Sequence, residues 1–143
     1  MTTTVAFVCV QNAGRSQMST AFAERERERR DLDDGVEILT GGTHPAEAVH
    51  DVVEVMREEG FDLSDRTPRR ISTAGLESCD HVATMGCSTL ELDADASDVD
   101  VRDWALDDPD GRDLDRVRDI RDEARDRVST LFDEIEREVT TNA

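Results

Sequence analysis

One stretch near the start of the chain decides the fold: Val5-Ala6-Phe7-Val8-Cys9-Val10-Gln11-Asn12-Ala13-Gly14-Arg15-Ser16. Thr4 to Cys9 is a short, uncharged run rich in β-branched and aromatic side chains, which is typical of a buried strand. From Ser16 to about Arg30 the apolar residues have helical spacing, and serine is favoured at a helix N-cap. The stretch therefore predicts a strand that ends at a thiol and passes through a short loop into a helix.

Cys9 stands where this strand gives way to the loop. Backbone N–H groups of such a loop can turn inward to bind an anion, and the N-terminus of the following helix favours negative charge at the same place. A thiol in these surroundings is favoured as the nucleophilic thiolate, and Arg15 adds a planar fork of donors suited to a tetrahedral oxyanion. The pattern predicts a thiolate directed at phosphate or a similar oxyanion; the alternative is an inert buried thiol. The expected oxyanion-binding residues are Val10, Gln11, Asn12, Ala13, Gly14 and Arg15.

The composition indicates one domain with a strongly acidic surface. The 143 residues include 35 acidic side chains and 17 basic ones, all arginine, so the formal net charge is −18. The hydrophobic share of 36% is low for a globular protein, and partial disorder would be one explanation. The apolar residues are strongly periodic, however, which favours a folded protein from a salt-loving organism. The acidity argues against nucleic acid and anionic membranes as partners, because their phosphates would be repelled.

The three cysteines point to a reducing compartment. An odd number shows no disulfide framework and favours cysteine chemistry over crosslinking. No apolar run approaches the ~20 residues of a membrane span, and no signal peptide is visible at the N-terminus. We therefore expect a cytoplasmic protein. We expect no metal site, because Cys79, His81 and Cys87 do not repeat a metal-ligand spacing.

Beyond the opening stretch, predicted strands and helices alternate. The further strands are Val36 to Leu39, His81 to Met85 and Val99 to Val101. The further helices run from Pro45 to Gly60, from Ser72 to about Ser78, and from Asp113 to about Val139. This alternation predicts an α/β fold with a parallel sheet. We expect a single domain over residues 1–139 and a frayed tail over residues 140–143.

In such sheets, ligands bind beyond the carboxyl ends of the strands. Cys9, Cys87 and Asp108 each follow a predicted strand, so one edge of the sheet can hold all three. Asp108 could protonate a departing oxygen, although Asp before Pro is also common in ordinary turns. Cys87 could attack a covalent intermediate on a first thiol and form a disulfide, or it is a packed structural thiol. Cys79 precedes its strand, so we expect it at the opposite end, in a structural role.

Four motifs resemble those of the low-molecular-weight protein tyrosine phosphatases and of the arsenate reductases built on the same fold. They are Cys9-Val10-Gln11-Asn12-Ala13-Gly14-Arg15-Ser16-Gln17-Met18, Gly42-Thr43-His44-Pro45, Thr84-Met85-Gly86-Cys87 and Asp103-Trp104-Ala105-Leu106-Asp107-Asp108-Pro109. The resemblance covers nearly the whole chain. It implies a three-layer αβα domain with a four-stranded parallel sheet and the Cys-x5-Arg loop between the first strand and the first helix. The implied roles are Cys9 as nucleophile, Arg15 as oxyanion binder, Ser16 as thiolate stabiliser and Asp108 as general acid.

Two details favour the reductase branch over the phosphatases. Gln17-Met18 follows Arg-Ser here, whereas the phosphatases usually have proline at that point. Asp110-Gly111 follows Pro109, where the phosphatases have an aromatic residue that stacks on phosphotyrosine, and the chain contains no tyrosine. A phosphotyrosine ring would thus lose a stacking partner worth about 0.5–1.5 kcal/mol.

One departure concerns the fate of the attacked thiol. Thioredoxin-coupled arsenate reductases use a third cysteine a few residues beyond the second, and no thiol follows Cys87 here. Either Cys87 resolves Cys9 directly, or an external small thiol attacks the arsenylated Cys9. The expected function is an arsenate reductase with no tightly bound cofactor, using arsenate and a small thiol or a thioredoxin- or glutaredoxin-type reductant. The alternative is a protein tyrosine phosphatase that hydrolyses phosphomonoesters through a phosphocysteine at Cys9.

Overall fold

A computed structural model describes residues 2–9, 12, 14–42, 46–47, 52–71, 75–76, 78–85, 100–104, 106–107, 109 and 111–141. Within these residues the strands are β1 (Thr3–Cys9), β2 (Val36–Gly42), β3 (His81–Met85) and β4 (Asp100–Asp103). The helices are α1 (Arg15–Arg29), α2 (Val53–Arg57) and α3 (Leu114–Thr141).

The four strands form one parallel sheet in the order β2-β1-β3-β4. The register sets Cys9 opposite Gly42 on one side and opposite Met85 on the other. The carboxyl ends of three strands therefore meet at the edge of the sheet where β1 passes into the loop before α1. The predicted α/β fold with a four-stranded parallel sheet is confirmed.

The central strand β1 is buried on both faces, and its residues 5–8 have no exposed surface. Successive side chains of a strand point to opposite faces. Val5, Phe7 and Cys9 join the larger core, which includes residues of α1 and α3. Ala6 and Val8 join a smaller core on the other face, with residues of the segment 76–82. The sheet thus lies between two layers, as the three-layer expectation requires.

The long helix α3 covers one face of the sheet with an apolar stripe. Its stripe residues are buried as the periodicity predicts: Val117, Ile120, Ala124, Val128, Leu131 and Ile135. Leu114, at the first turn, is an exception and is 38% exposed. The helix continues to Thr141, two residues beyond the predicted end. The assignment of residues 1–139 to a domain and of 140–143 to a frayed tail stays a prediction.

The prediction of Ser16 as the N-cap of α1 is wrong. The helix begins at Arg15 and its N-cap is Gly14, with no side-chain cap. The Ser16 hydroxyl lies instead 2.9 Å from the Cys9 thiol and accepts a hydrogen bond from the side chain of Asn12. Local propensity favours serine at a cap, but here tertiary hydrogen bonds place the hydroxyl inside the first turn.

Three other predicted bounds differ from those of the structure. The strand β2 continues past Leu39 to Gly42, because Gly41 permits a close approach: a Cβ there would lie 2.5 Å from the Cβ of Ile71. The helix predicted from Pro45 is observed as α2, from Val53, and the described residues 46–47 are not helical. The last strand spans Asp100–Asp103 rather than Val99 to Val101. Most of the helix predicted from Ser72 lies outside the described residues.

Ion pairs join the end of α2 to α3. Glu58 accepts hydrogen bonds from Arg118 at 2.7 Å and from Arg121 at 2.8 Å. The hydrogen bonds from Arg118 and Arg121 lower the pKa of Glu58 from 4.5 to about 2. Because the carboxylate is favoured in the folded state, its contribution to stability is present above pH 4.5 and is lost as the pH falls towards 2.

We expect Glu58→Gln to lower the melting temperature near neutral pH in low salt, with a difference from wild type that shrinks between pH 4.5 and 2. Both arginines lose a charged partner, and added salt weakens the effect because the carboxylate is exposed. Thermal melts followed by circular dichroism across pH and salt measure it. Glu54→Gln, one turn earlier, removes the same charge as a control. A pH-independent difference between Glu58→Gln and wild type would contradict the assignment.

Candidate active site

Cys9 is the last residue of β1, and its side chain is almost fully buried, with 3% exposed. Its Sγ accepts a hydrogen bond from the backbone N–H of Asn12 at 3.2 Å and lies 2.9 Å from the Oγ of Ser16. Arg15 begins α1 directly after the loop. The sulfur therefore sits between the end of β1, a donating loop amide and the N-terminus of α1.

Asn12 organises the loop around this sulfur. Its φ of +53° lies in the left-handed region, which asparagine tolerates better than most residues. Its Nδ2 donates to Ser16 Oγ at 2.7 Å and to Thr40 Oγ1 at 2.8 Å. Its Oδ1 accepts from the backbone N–H of Arg69 at 2.9 Å; a backbone N–H is always a donor, so this bond fixes which end of the amide is oxygen. Because Ser16 Oγ accepts from Asn12, its own hydrogen can point to the sulfur of Cys9.

The segment after β4 packs against the same loop. A Cβ added to Gly14 would lie 3.1 Å from Cγ of Pro109. Arg15 donates from Nη1 to the backbone oxygen of Leu106 at 3.1 Å. The rings of Phe7 and Trp104 are in contact, with centroids 5.9 Å apart. Leu106 and Pro109, which follow β4, therefore lie against the residues at the start of α1.

Of the predicted site residues, the structure describes five, and three of these, Cys9, Asn12 and Ser16, are joined by hydrogen bonds, while Gly14 and Arg15 stand at the start of α1 and contact the segment 106–109. Five others lie outside the described residues: Val10, Gln11, Ala13, Cys87 and Asp108. The catalytic and binding roles of all ten stay predictions.

Cys79 lies at the opposite edge of the sheet. It precedes β3, and its neighbour Asp80 donates from its backbone N–H to Thr4 near the start of β1. Burial raises the pKa of the Cys79 thiol, and the charges of Asp80 and Glu37 raise it further. This surrounding disfavours the thiolate and agrees with the structural role predicted for Cys79.

The sequence did not predict which groups form hydrogen bonds with Asn12 on the side away from Cys9. They are Thr40 at the end of β2, Gln17 in α1, and the backbone of Arg69. These residues also line a cavity of about 370 Å³ between α1, β2 and the loop that precedes residue 70. An asparagine in a loop is a signal for a residue in the left-handed conformation. This signal does not predict which residues form hydrogen bonds with it.

No group of three or more His, Cys, Asp and Glu side chains among the described residues is arranged to hold a metal ion. No helix in the described part of the chain has both the length and the apolar character needed to cross a membrane.

Comparisons with known proteins agree with the geometry. A protein of Halobacterium salinarum, named provisionally as an arsenate reductase, is 76% identical over 134 residues, which are 93% of this chain and 93% of that protein. The glutaredoxin arsenate reductase of Synechocystis sp. is 32% identical over 133 residues, 92% of this chain and 97% of that protein. A solved arsenate reductase in the phosphate binding state superposes with a TM-score of 0.78 at 27% identity, over 93% of this chain and 98% of that one. The sequence profile of the low molecular weight phosphotyrosine protein phosphatases matches residues 4–141, and the chain therefore belongs to that family.

Proposed function

We propose that the protein is an arsenate reductase that uses Cys9 as its nucleophile. The observation that carries the proposal is the surrounding of Cys9 Sγ: a loop N–H and the Ser16 hydroxyl lie on the sulfur, at the N-terminus of α1. Relatives named as arsenate reductases, one of them 76% identical, support arsenate as the substrate.

The side chains around the sulfur have separate tasks. The loop from Val10 to Gly14 and the guanidinium of Arg15 bind the oxyanion, since arginine offers several donors in one plane. Ser16 stabilises the thiolate through its hydroxyl hydrogen. Asp108 donates a proton to the departing oxygen.

The reaction oxidises two thiols to one disulfide for each arsenate that is reduced. The Cys9 thiolate attacks arsenic(V) and forms a sulfur–arsenic bond, while one arsenate oxygen leaves as water with the proton from Asp108. A second thiol then attacks Cys9 Sγ, forming a disulfide and breaking the sulfur–arsenic bond. The electron pair of that bond stays on arsenic, which leaves as arsenite, arsenic(III). Two thiols have been oxidised and arsenic has gained two electrons.

The second thiol is Cys87 or a small external thiol. The sequence holds no cysteine after Cys87 that could continue an internal relay, so a glutaredoxin- or thioredoxin-type protein or a small thiol reduces the disulfide. The Synechocystis relative is named for glutaredoxin, which supports this class of reductant. We place the activity in the cytoplasm, because reduced thiols must be available to complete each cycle.

The second candidate function is a phosphatase acting on phosphomonoesters through a phosphocysteine at Cys9. The family match supports it, since the family is described by phosphotyrosine hydrolysis. The residues after Pro109 are Asp110-Gly111, which provide no ring to stack on a phosphotyrosine. We therefore rank this function second.

The purified protein in high salt should oxidise a thiol pool in an arsenate-dependent manner. The thiol is followed with a colorimetric reagent and arsenite by its separation from arsenate. Hydrolysis of an aryl phosphate is measured in parallel. Strong hydrolysis without any arsenate-dependent oxidation would reject the reductase and support the phosphatase.

Mass spectrometry after arsenate treatment identifies the second thiol. A disulfide between Cys9 and Cys87 supports the internal route, and it should be absent from the Cys87→Ser variant. A mixed disulfide of Cys9 with the added small thiol supports the external route, which Cys87→Ser should leave intact.

A further inference from the structure

Gln17 lies in the first turn of α1 and donates two hydrogen bonds to one loop residue. Its Nε2 is 3.1 Å from the backbone oxygen of Asn12 and 3.0 Å from Oδ1 of the same residue. Both side chains are buried, with 1% and 0% exposed. Because an amide nitrogen carries two hydrogens, a single group binds the backbone and the side chain of Asn12 together.

The backbone N–H of Asn12 contacts the sulfur of Cys9. It donates to Cys9 Sγ at 3.2 Å, and the φ of Asn12, +53°, is one that L-residues adopt at a cost. A residue held at its carbonyl oxygen and at its side chain cannot relax to negative φ without breaking the contacts with Gln17. The bonds from Gln17 therefore hold the N–H on the sulfur.

We propose that Gln17 is a positioning residue: it keeps Asn12 in the left-handed conformation that points its N–H at Cys9 and so sustains the thiolate. The proposal deepens the proposed function, on which it rests for the use made of that thiolate. The proposal also explains what a glutamine contributes at position 17, directly after Arg15-Ser16. A proline there, as in the phosphatases that the sequence resembles, has no side-chain donor to bind the loop.

The oxygen of the Gln17 side-chain amide allows a positioning role of this residue to be distinguished from a packing role. Its Oε1 is buried and has no hydrogen-bond partner among the described residues, an arrangement that lowers stability. An apolar side chain of the same length would avoid that penalty. Gln17 also borders the cavity of about 370 Å³, which leaves room for a replacement. What the amide adds is its pair of donors.

The test is Gln17→Met, which keeps the length of the side chain and removes both donors and the unpaired oxygen. We expect a melting temperature close to that of wild type, because removal of the unpaired Oε1 offsets the loss of the donor to the buried backbone oxygen of Asn12. We expect alkylation of Cys9 by iodoacetamide near neutral pH, read by peptide mass spectrometry, to slow by about tenfold, which corresponds to about 1.4 kcal/mol. The acidic limb of the alkylation pH profile should move to higher pH. Arsenate turnover should fall by a similar factor in kcat, with KM little changed.

Two further variants bracket this result. Gln17→Glu replaces the donors with an oxygen that faces the two oxygens of Asn12, so it should slow alkylation more than Gln17→Met does. Ser19→Ala is the matched control, because Ser19 is buried on the same helix and its hydroxyl contacts Met85 rather than the loop. It should leave the alkylation rate and its pH profile unchanged.

The outcomes separate this proposal from the proposed function. Unchanged alkylation in a well-folded Gln17→Met variant overturns the positioning role. Equal slowing in Gln17→Met and Ser19→Ala, following a common loss of melting temperature, also overturns it. If alkylation slows selectively while wild type shows no arsenate turnover, the positioning role stands and the arsenate reductase proposal fails.

Discussion

Replacing Cys9 with serine should abolish arsenate-dependent thiol oxidation, with a fall of about 10⁴-fold or more, as is usual when an enzyme loses its nucleophile. A serine hydroxyl is not ionised near neutral pH and is a far weaker nucleophile. It also cannot complete the cycle, because the second thiol must form a disulfide with the residue that carried arsenic. Cys9 is thus required at both steps, and no residual route through the same site is expected.

The loss should not come from unfolding. Cys9 is 3% exposed and its Sγ already lies among polar groups, the N–H of Asn12 and the hydroxyl of Ser16. A serine hydroxyl can use the same partners, so Cys9→Ser should retain its melting temperature within a few degrees. Binding of phosphate, measured by titration calorimetry, should also persist because Arg15 and the loop remain.

Cys79→Ser is the matched control for thiol chemistry elsewhere in the chain. Burial and the charges of Asp80 and Glu37 raise the pKa of Cys79 at the opposite edge of the sheet, so turnover should be unchanged. Turnover that survives in Cys9→Ser but disappears in Cys79→Ser would contradict the assignment of the nucleophile.

The parts of the fold that the sequence predicted are those with short-range patterns. A six-residue uncharged run predicted β1, whose end at Cys9 is the observed end. The steps of three and four between Val117 and Ile135 gave α3. The alternation of such segments was sufficient for a parallel sheet, since parallel strands need a crossover connection. That topology then placed the ends of β1 and β3 side by side.

The support of the reactive loop could not be predicted in the same way. Thr40 and Arg69 lie 28 and 57 residues from Asn12, and no local pattern joins positions so far apart. They meet because β2 pairs with β1 as far as Gly42 and the backbone at Arg69 bonds to the end of that strand. The error at Ser16 has the same origin, since its hydroxyl bonds across the loop rather than along the helix.

Asn12→Asp is the second variant with a large expected effect, a fall in turnover of about 10²–10³-fold, the range seen when a donor to a developing negative charge is removed. The substitution keeps the shape of the side chain and the left-handed backbone, which aspartate also tolerates. It replaces Nδ2, the donor to Ser16 at 2.7 Å and to Thr40 at 2.8 Å, with an oxygen. The Oδ1 contacts with Gln17 and Arg69 remain.

The expected loss follows from the single hydrogen of the Ser16 hydroxyl. In wild type, Ser16 Oγ accepts from Asn12, so its hydrogen is free to point to Cys9 Sγ. A carboxylate at position 12 attracts that hydrogen, and the thiolate then loses a donor. The new negative charge near the sulfur also disfavours the thiolate, because like charges in a buried site repel strongly.

Comparison with Asn12→Gly separates the added charge from the lost hydrogen bonds. Glycine adopts positive φ without strain and adds no charge, so it removes the side-chain contacts alone, and we expect a smaller loss of about tenfold, or about 1.4 kcal/mol. Turnover and Cys9 alkylation, measured across pH on both variants, give the two contributions. Equal losses would show that the lost contacts suffice and that the added charge has no effect. Full activity in Asn12→Asp would show that the Ser16 hydrogen does not reach Cys9, and the thiolate would then depend on the Asn12 N–H and the helix N-terminus.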